Sequence, residues 1–112
     1  MEFERKSEGD IELVLLKGDM DSHTSPKARD FFAGILKEEK KKLVVDLADV
    51  KYISSAGLAT LIEVFQKMHR YGGLLKLCGM NETTKGIFEI AKLDSIFAIY
   101  ETRDEAVSSF SS

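Results

Sequence analysis

The sequence has no tryptophan, one proline, one cysteine and, in Gln66 and Asn81, only two side-chain amides. A single cysteine, Cys78, excludes an intramolecular disulfide framework and fits a reducing compartment. There is no basic excess either. Against 19 acidic residues stand 16 Lys and Arg, and the net charge of -3 offers no field for nucleic acid or an anionic membrane surface. The longest strictly aliphatic run, Leu13-Val14-Leu15-Leu16, is far below the length of a membrane span. The opening MEFERKSEGD is charged from its second residue, unlike a secretory signal. What is present is 112 residues, 44% of them hydrophobic, enough for one core and too few for two. The expectation is a cytoplasmic protein folded as one domain over residues 1–112, with no membrane insertion and no nucleic-acid partner.

The hydrophobic pattern divides the chain into alternating elements. Glu2 to Lys6 and Ile11 to Lys17 read as strands joined by a Gly9-Asp10 turn, the second aliphatic enough to be buried on both faces. Gly18 to Thr24 reads as a polar loop. Ser25-Pro26 opens a helix, with serine as cap, whose stripe is Phe31, Phe32, Ile35 and Leu36 and whose solvated end is Lys40-Lys41-Lys42. Leu43 to Leu47 is a strand, followed by a connection from Ala48 to Ile53. A second helix from about Ala56 to Tyr71 places Leu58, Leu61, Ile62, Phe65 and Met68 on one face. Gly72-Gly73 stops it, and Leu74 to Cys78 is the next strand. Asn81 caps a third helix with Ile87, Phe88, Ile90 and Ala91 inward, and Ile96 to Tyr100 is a short strand. Thr102-Arg103-Asp104-Glu105 has the form of a capping box opening a last helix. The alternation predicts an α/β fold: a mixed, mainly parallel sheet of four to five strands with about four helices, opening with an antiparallel hairpin. In such sheets functional groups gather beyond the strand C-termini, here the loops Gly18 to Thr24 and Asp49 to Gly57.

Few residues carry recognisable chemistry. Ile-Ser-Ser-Ala-Gly around Ser55 is not a Gly-x-Ser-x-Gly nucleophile elbow, and the only histidines available as a base are His23 and His69. Asp19-Met20-Asp21 lacks the glycine and glutamate of a calcium loop, and no phosphate-binding or dinucleotide glycine motif exists. Catalysis by a Ser55–His23 dyad is the weakest of the available readings, and no cofactor or metal is expected. Three readings remain for Ser54 and Ser55: a helix cap, a nucleophile, or an acceptor of phosphate. A cap leaves Gly57 unexplained, since glycine inside a helix costs roughly 0.5–1 kcal/mol relative to alanine. A nearly bare helix start, in contrast, lets another backbone approach and tolerates an anion on its free N–H groups. That layout suits a phosphorylation switch.

The residues that carry this layout also carry a resemblance covering nearly the whole chain. Gly18-Asp19-Met20-Asp21-Ser22-His23-Thr24, then Leu43-Val44-Val45-Asp46-Leu47, Val50 and Tyr52-Ile53-Ser54-Ser55-Ala56-Gly57-Leu58 are together similar to bacterial anti-sigma-factor antagonists, which carry the STAS domain. The resemblance implies a non-enzymatic protein whose unphosphorylated form binds an anti-sigma factor, usually also a serine kinase of the histidine-kinase-like ATPase type. Binding frees the sigma factor; phosphorylation at the start of helix two ends it, and a metal-dependent serine phosphatase restores it. The commonest family form has Asp-Ser-Ser/Thr before Gly-Leu, so Ala56 stands at its acceptor position and Ser54 at its Asp. In the Ser-Ser-Ala-Gly-Leu form the implied acceptor is Ser55, with Ser54 as second choice. Asp21 matches the family's loop acid. Met20, His23, Thr24, Ser54, Ala56, Gly57 and Leu58 complete the implied partner-binding set. A STAS module serving a lipid-transport or stress-sensing assembly is the alternative.

Overall fold

The alternating pattern resolves into five strands and four α-helices in the computed structural model, which describes residues 1–111. Glu2–Glu8 (β1) and Ile11–Met20 (β2) form an antiparallel hairpin in which Phe3 stands opposite Leu16 and Arg5 opposite Val14. Ser25–Lys37 (α1) leads to Lys42–Ile53 (β3), Ser55–Arg70 (α2) to Leu74–Cys78 (β4), and Glu82–Ile90 (α3) to Ala98–Tyr100 (β5). Arg103–Ser108 (α4) and a 3-10 turn at Ser109–Ser111 follow. Strands lie in the order β1-β2-β3-β4-β5, and every pair after the hairpin is parallel. The mixed five-stranded sheet and four helices are as the sequence predicts.

Alternation along the strands sends two sets of side chains to opposite faces. Val14, Leu16, Val45, Leu47 and Leu77 meet Phe32 and Ile35 of α1, Leu61 and Val64 of α2 and Phe88 of α3 in the main core. Ile11, Leu13, Val44 and Cys78 face the other way, under Ala106 of α4. Cys78 is fully buried, and burial pushes its thiol up to about 12. Lys76 holds the chain's end over this second layer: its ammonium donates to Ser109 Oγ at 2.6 Å and lies 4.0 Å from the centre of the Phe110 ring.

β3 is longer than expected, and the reason shapes the site. Between the pairs Leu15–Asp46 and Lys17–Asp49, β2 uses one residue where β3 uses two; the same happens between Gly18–Val50 and Met20–Ile53. Each is a β-bulge, one extra residue on β3. Both bulges have their loose backbone groups satisfied by side chains. Asp46 Oδ1 accepts the Ala48 amide at 2.9 Å, and Asn81 Nδ2 donates to the carbonyls of Val50 and Lys51 at 3.3 and 3.4 Å. The bulges leave Ala48-Asp49 and Lys51-Tyr52 exposed as adjacent pairs, which breaks the two-residue alternation. The stretch from Ala48 to Ile53 therefore reads as a connection in the sequence but is strand in the structure. β2 likewise continues through Gly18, Asp19 and Met20, expected as loop, because β3 extends beside it.

Three other expectations need correction. Ser25 is the first residue of α1 rather than its cap; Thr24 holds the cap position without a side-chain cap bond. α1 ends at Lys37, and Glu39, at a φ of 53, turns the chain so that Lys42 already belongs to β3. On α3 the inward residues are Thr84 and Phe88, whereas Ile90 is 86% exposed and Ala91 exposed as well. Ile90 follows Phe88 by two residues, about 200° round the helix, so both cannot face inward. Leu93 and Phe97, beyond the helix, fill the place expected of Ile90, and Phe97 meets Phe88 edge-on at 5.8 Å.

Two acids are buried in this framework, Glu12 and Asp46. Glu12 receives Arg5 Nε at 2.6 Å and Ser7 Oγ at 2.7 Å, while Arg5 also reaches Glu38 at 2.9 Å, so one guanidinium joins β1, β2 and the end of α1. Burial raises the Glu12 carboxyl, but the bonds from Arg5 and Ser7 outweigh it and hold it below its ordinary value. A carboxyl depressed in the folded state adds stability that is complete above the unfolded pKa and disappears as pH falls through the folded one. Urea unfolding at stepped pH should therefore show wild type losing stability below about pH 4.5, and Glu12→Gln, weaker at neutral pH, losing less over the same interval.

α2 is set against the end of β2 through Gly57. A Cβ there would stand 2.9 Å from the Met20 carbonyl oxygen, 2.8 Å from Met20 Cβ and 2.9 Å from Ile53 Cγ2, closer than packing allows. Gly57→Ala should lower stability by about 1–3 kcal/mol in a urea titration despite alanine's higher helix propensity. An unchanged or higher midpoint would mean that α2 is free to back away from β2.

Candidate functional site

The two loops singled out in the sequence meet at the C-terminal end of β2 and β3. The link is a backbone hydrogen bond: the Ser54 amide donates to the Met20 carbonyl at 2.8 Å, continuing the β2–β3 pairing one residue past Ile53. From there each chain turns into a helix, β2 into α1 and β3 into α2.

The turn before α1 is built on Asp21. Its Oδ1 accepts the amides of His23 at 2.8 Å and Thr24 at 2.9 Å, an Asx turn. Thr24 Oγ1 accepts the Asp21 amide at 3.0 Å and donates to the Asp19 carbonyl at 2.9 Å. The Ser25 amide and hydroxyl both reach the Asp21 carbonyl, at 2.9 and 2.6 Å. The Thr24 amide, and then that of His23, hold the Asp21 carboxyl below the usual aspartate range, so it is ionised at neutral pH. The result is a turn fixed by its own short polar side chains, with Ser22 and the His23 ring exposed on it.

The start of α2 separates its two serines by role. Ser54 is the N-cap: its backbone is extended, its hydroxyl accepts the Gly57 amide at 3.4 Å, and its carbonyl accepts the Leu58 amide at 2.9 Å. Ser55 is the first helical residue, exposed, and its hydroxyl bonds to no other described residue. No acidic side chain lies in the first turn, so the free N–H groups and the positive end of the helix dipole are not neutralised locally. Ala56 is half-buried, with its carbonyl accepting Thr60 Oγ1 at 3.0 Å, and Leu58 is half-buried against the main core.

The residues expected to act together are thus divided. Asp21, His23, Thr24, Ser54, Ser55 and Ala56 have surface at this end of the sheet. Met20 is fully buried and Gly57 is buried beneath it, because the backbone brought close to the bare helix start is the chain's own β2. Ser55 and His23 share no hydrogen bond; the His23 amide belongs to the Asp21 turn and its ring is exposed. Asp19 and Asp21 do not converge either, since Asp19 lies in β2, and no group of three His, Cys, Asp or Glu able to hold a metal occurs among the described residues. None of their helices is long and apolar enough to cross a membrane.

Two residues matter more here than the sequence suggests. Asn81 caps α3 by accepting the Thr84 amide at 2.8 Å, as expected, but the same side chain also holds the second bulge of β3. Asp46 supports the first bulge and is held by Arg103 Nε at 3.0 Å from α4. An acid inside the aliphatic run Leu43 to Leu47 is the one signal in the sequence that points to a bound partner group.

Comparison with known proteins agrees with this architecture. The sequence profile of the STAS domain matches residues 2–106. The anti-sigma-B factor antagonist of Bacillus subtilis is 32% identical over 95 residues, 85% of this chain and 85% of that one. Among solved structures, an anti-sigma factor antagonist from Mycobacterium paratuberculosis superposes with a TM-score of 0.89 at 22% identity, over 96% of this chain and 92% of the other. The Bacillus cell fate determinant SpoIIAA in its phosphorylated form superposes with 0.76 at 14% identity, over 97% and 99%. The two structures establish likeness of fold; the profile and the B. subtilis relative establish descent. Anti-sigma factor antagonists of this type are regulators that bind, not enzymes. With a five-stranded mixed sheet, four helices and a matching profile over nearly its whole length, the chain belongs to the STAS domain family.

Proposed function

We propose that this chain is an anti-sigma factor antagonist switched by phosphorylation of Ser55. In its unphosphorylated form it binds, in the cytoplasm, an anti-sigma factor that is also a serine kinase, and so releases the sigma factor. Phosphate transferred to Ser55 ends the complex, and a serine phosphatase restores it. The observation that carries this reading is the division of labour at the helix start: Ser54 has its hydroxyl engaged as the cap, whereas Ser55 presents an exposed and unengaged hydroxyl one residue later. The acceptor is accordingly Ser55 and not Ser54.

The physical consequence of the modification supports the same reading. A phosphate brings about -1.5 to -2 charges and strong acceptor oxygens. Within the chain it meets free N–H groups and a positive dipole end, with no acid in the first turn, so the fold tolerates it. In a complex pressed onto Ser55 and Ala56 the same charge must be desolvated, and the contact is lost. The Asp21 turn lies at the same end, so its ionised carboxylate and the exposed His23 flank the face that the partner covers.

Incubation with the ATPase-type anti-sigma factors of the source genome and ATP, followed by mass-spectrometric mapping, tests the assignment. Phosphate is expected on Ser55 together with dissociation of the complex. Ser55→Ala should bind and take no phosphate, while Ser55→Asp should bind at least tenfold more weakly with the fold unchanged. A stable complex bearing no phosphate on Ser55, or an Asp variant of undiminished affinity, would remove the switch from this site.

A further inference from the structure

The bulge that carries β3 past the end of β2 also turns one large side chain outward. Four large hydrophobic residues are exposed among those described: Tyr52, Leu74, Ile90 and Ile96. Leu74 opens β4, Ile90 ends α3 and Ile96 precedes β5. Only Tyr52 belongs to the end of the sheet where Ser54 and Ser55 lie. It sits three residues before Ser55, within about 11 Å along the chain, and 48% of its surface is exposed. An uninterrupted strand alternates its side chains; here the extra residue at Lys51–Tyr52 exposes both in succession while Val50 and Ile53 are buried. The conformation is held on purpose-built contacts, since Asn81 donates to the carbonyls of Val50 and Lys51 on one side and Ser54 bonds Met20 on the other. The Tyr52 hydroxyl makes no hydrogen bond to the described residues, and its ring belongs to neither core cluster.

We propose that Tyr52 is an apolar anchor of the partner interface, filling a pocket on the anti-sigma factor beside the point where Ser55 is phosphorylated. The inference rests on the function proposed above, because the occupant is that same partner. An exposed tyrosine on a rigid strand end loses little conformational freedom on binding and buries a large ring, the usual make-up of an interface hot spot. The other surface groups at this end, Ser55, Ala56, Ser22 and the Asp21 turn, are small or polar, and Leu58 is partly covered by the core, so Tyr52 is the one large exposed apolar side chain available to the contact. Anchor and switch then act on one contact in opposite senses: the ring draws the partner onto the helix start, and the phosphate drives it off.

Calorimetric titration of this chain with the purified ATPase-type anti-sigma factors of the source genome tests this. Tyr52→Ala should bind at least tenfold more weakly than wild type and Tyr52→Phe within about threefold, with thermal midpoints of both close to wild type because the ring supports no core. In kinase assays Tyr52→Ala should raise the KM for this chain as substrate and leave the rate at saturation nearly unchanged, a split that general damage to the acceptor loop would not give. Wild-type affinity in Tyr52→Ala, alongside a wild-type complex that forms and is phosphorylated, would overturn the anchor and leave the proposed function standing. Absence of any complex with wild type would overturn both. If Tyr52→Ala unfolds, Tyr52→Lys and the Phe variant decide by the same ratio, and equal affinities for these two would dispose of the anchor.

Discussion

The carbonyl of Met20 is the point from which the functional end of the molecule hangs. It receives the Ser54 amide at 2.8 Å, which fixes the residue before α2, and it lies so close to Gly57 that no side chain fits between them. These contacts determine where α2 begins, hence which serine is the cap and which lies outside. The same residue ends β2, and the next one, Asp21, folds the chain into α1 through its carboxylate. A fully buried methionine therefore governs a surface to which it contributes no atoms. The sequence resemblance places Met20 in the partner-binding set; its burial makes it a support for the neighbours that are exposed.

The second constraint is the length mismatch between β2 and β3. Two bulges take up the surplus, and each would leave polar backbone groups loose in a partly buried place, at a cost of roughly 1–3 kcal/mol for each unsatisfied group. Asp46 and Asn81 remove that cost and connect the bulges to α4 and α3. The elements that otherwise only cover the sheet thus become braces for the strand that ends at the site. This explains why a chain with two side-chain amides uses one of them here. Asn81 donates with its nitrogen to the bulge and accepts with its oxygen from the first turn of α3, which an ionised aspartate, having no donor, cannot do.

Much of this architecture is legible in the residue pattern, and the departures from it share a cause. Runs such as Leu43 to Leu47 and the stripe through Leu61 and Met68 follow a single period, and they form strand and helix as expected. The segment from Ala48 to Ile53 follows no single period, because the bulges shift its phase twice, and so reads as loop. Ile90 departs from expectation for a related reason: in a nine-residue helix the apolar pattern is too short to fix its own phase, and Leu93 and Phe97 from outside the helix decide it. The neighbourhood of the site is legible through Ser54-Ser55-Ala56-Gly57 and the Asp21 loop. What Gly57 accommodates is not. A glycine announces that a backbone comes close, but only the fold reveals that the backbone is the chain's own.

The burial of Cys78 has a practical side. It is the sole thiol, fully enclosed under α4, and burial pushes its pKa up to about 12, so almost none of it is thiolate at neutral pH. The molecule's surface is in effect cysteine-free without any alteration. A cysteine introduced at an exposed position would be the only one to take up a maleimide dye, leaving the native thiol in place. The second layer of the core thus gives the opposite face of the sheet a chemically silent background against which complex formation can be followed by fluorescence.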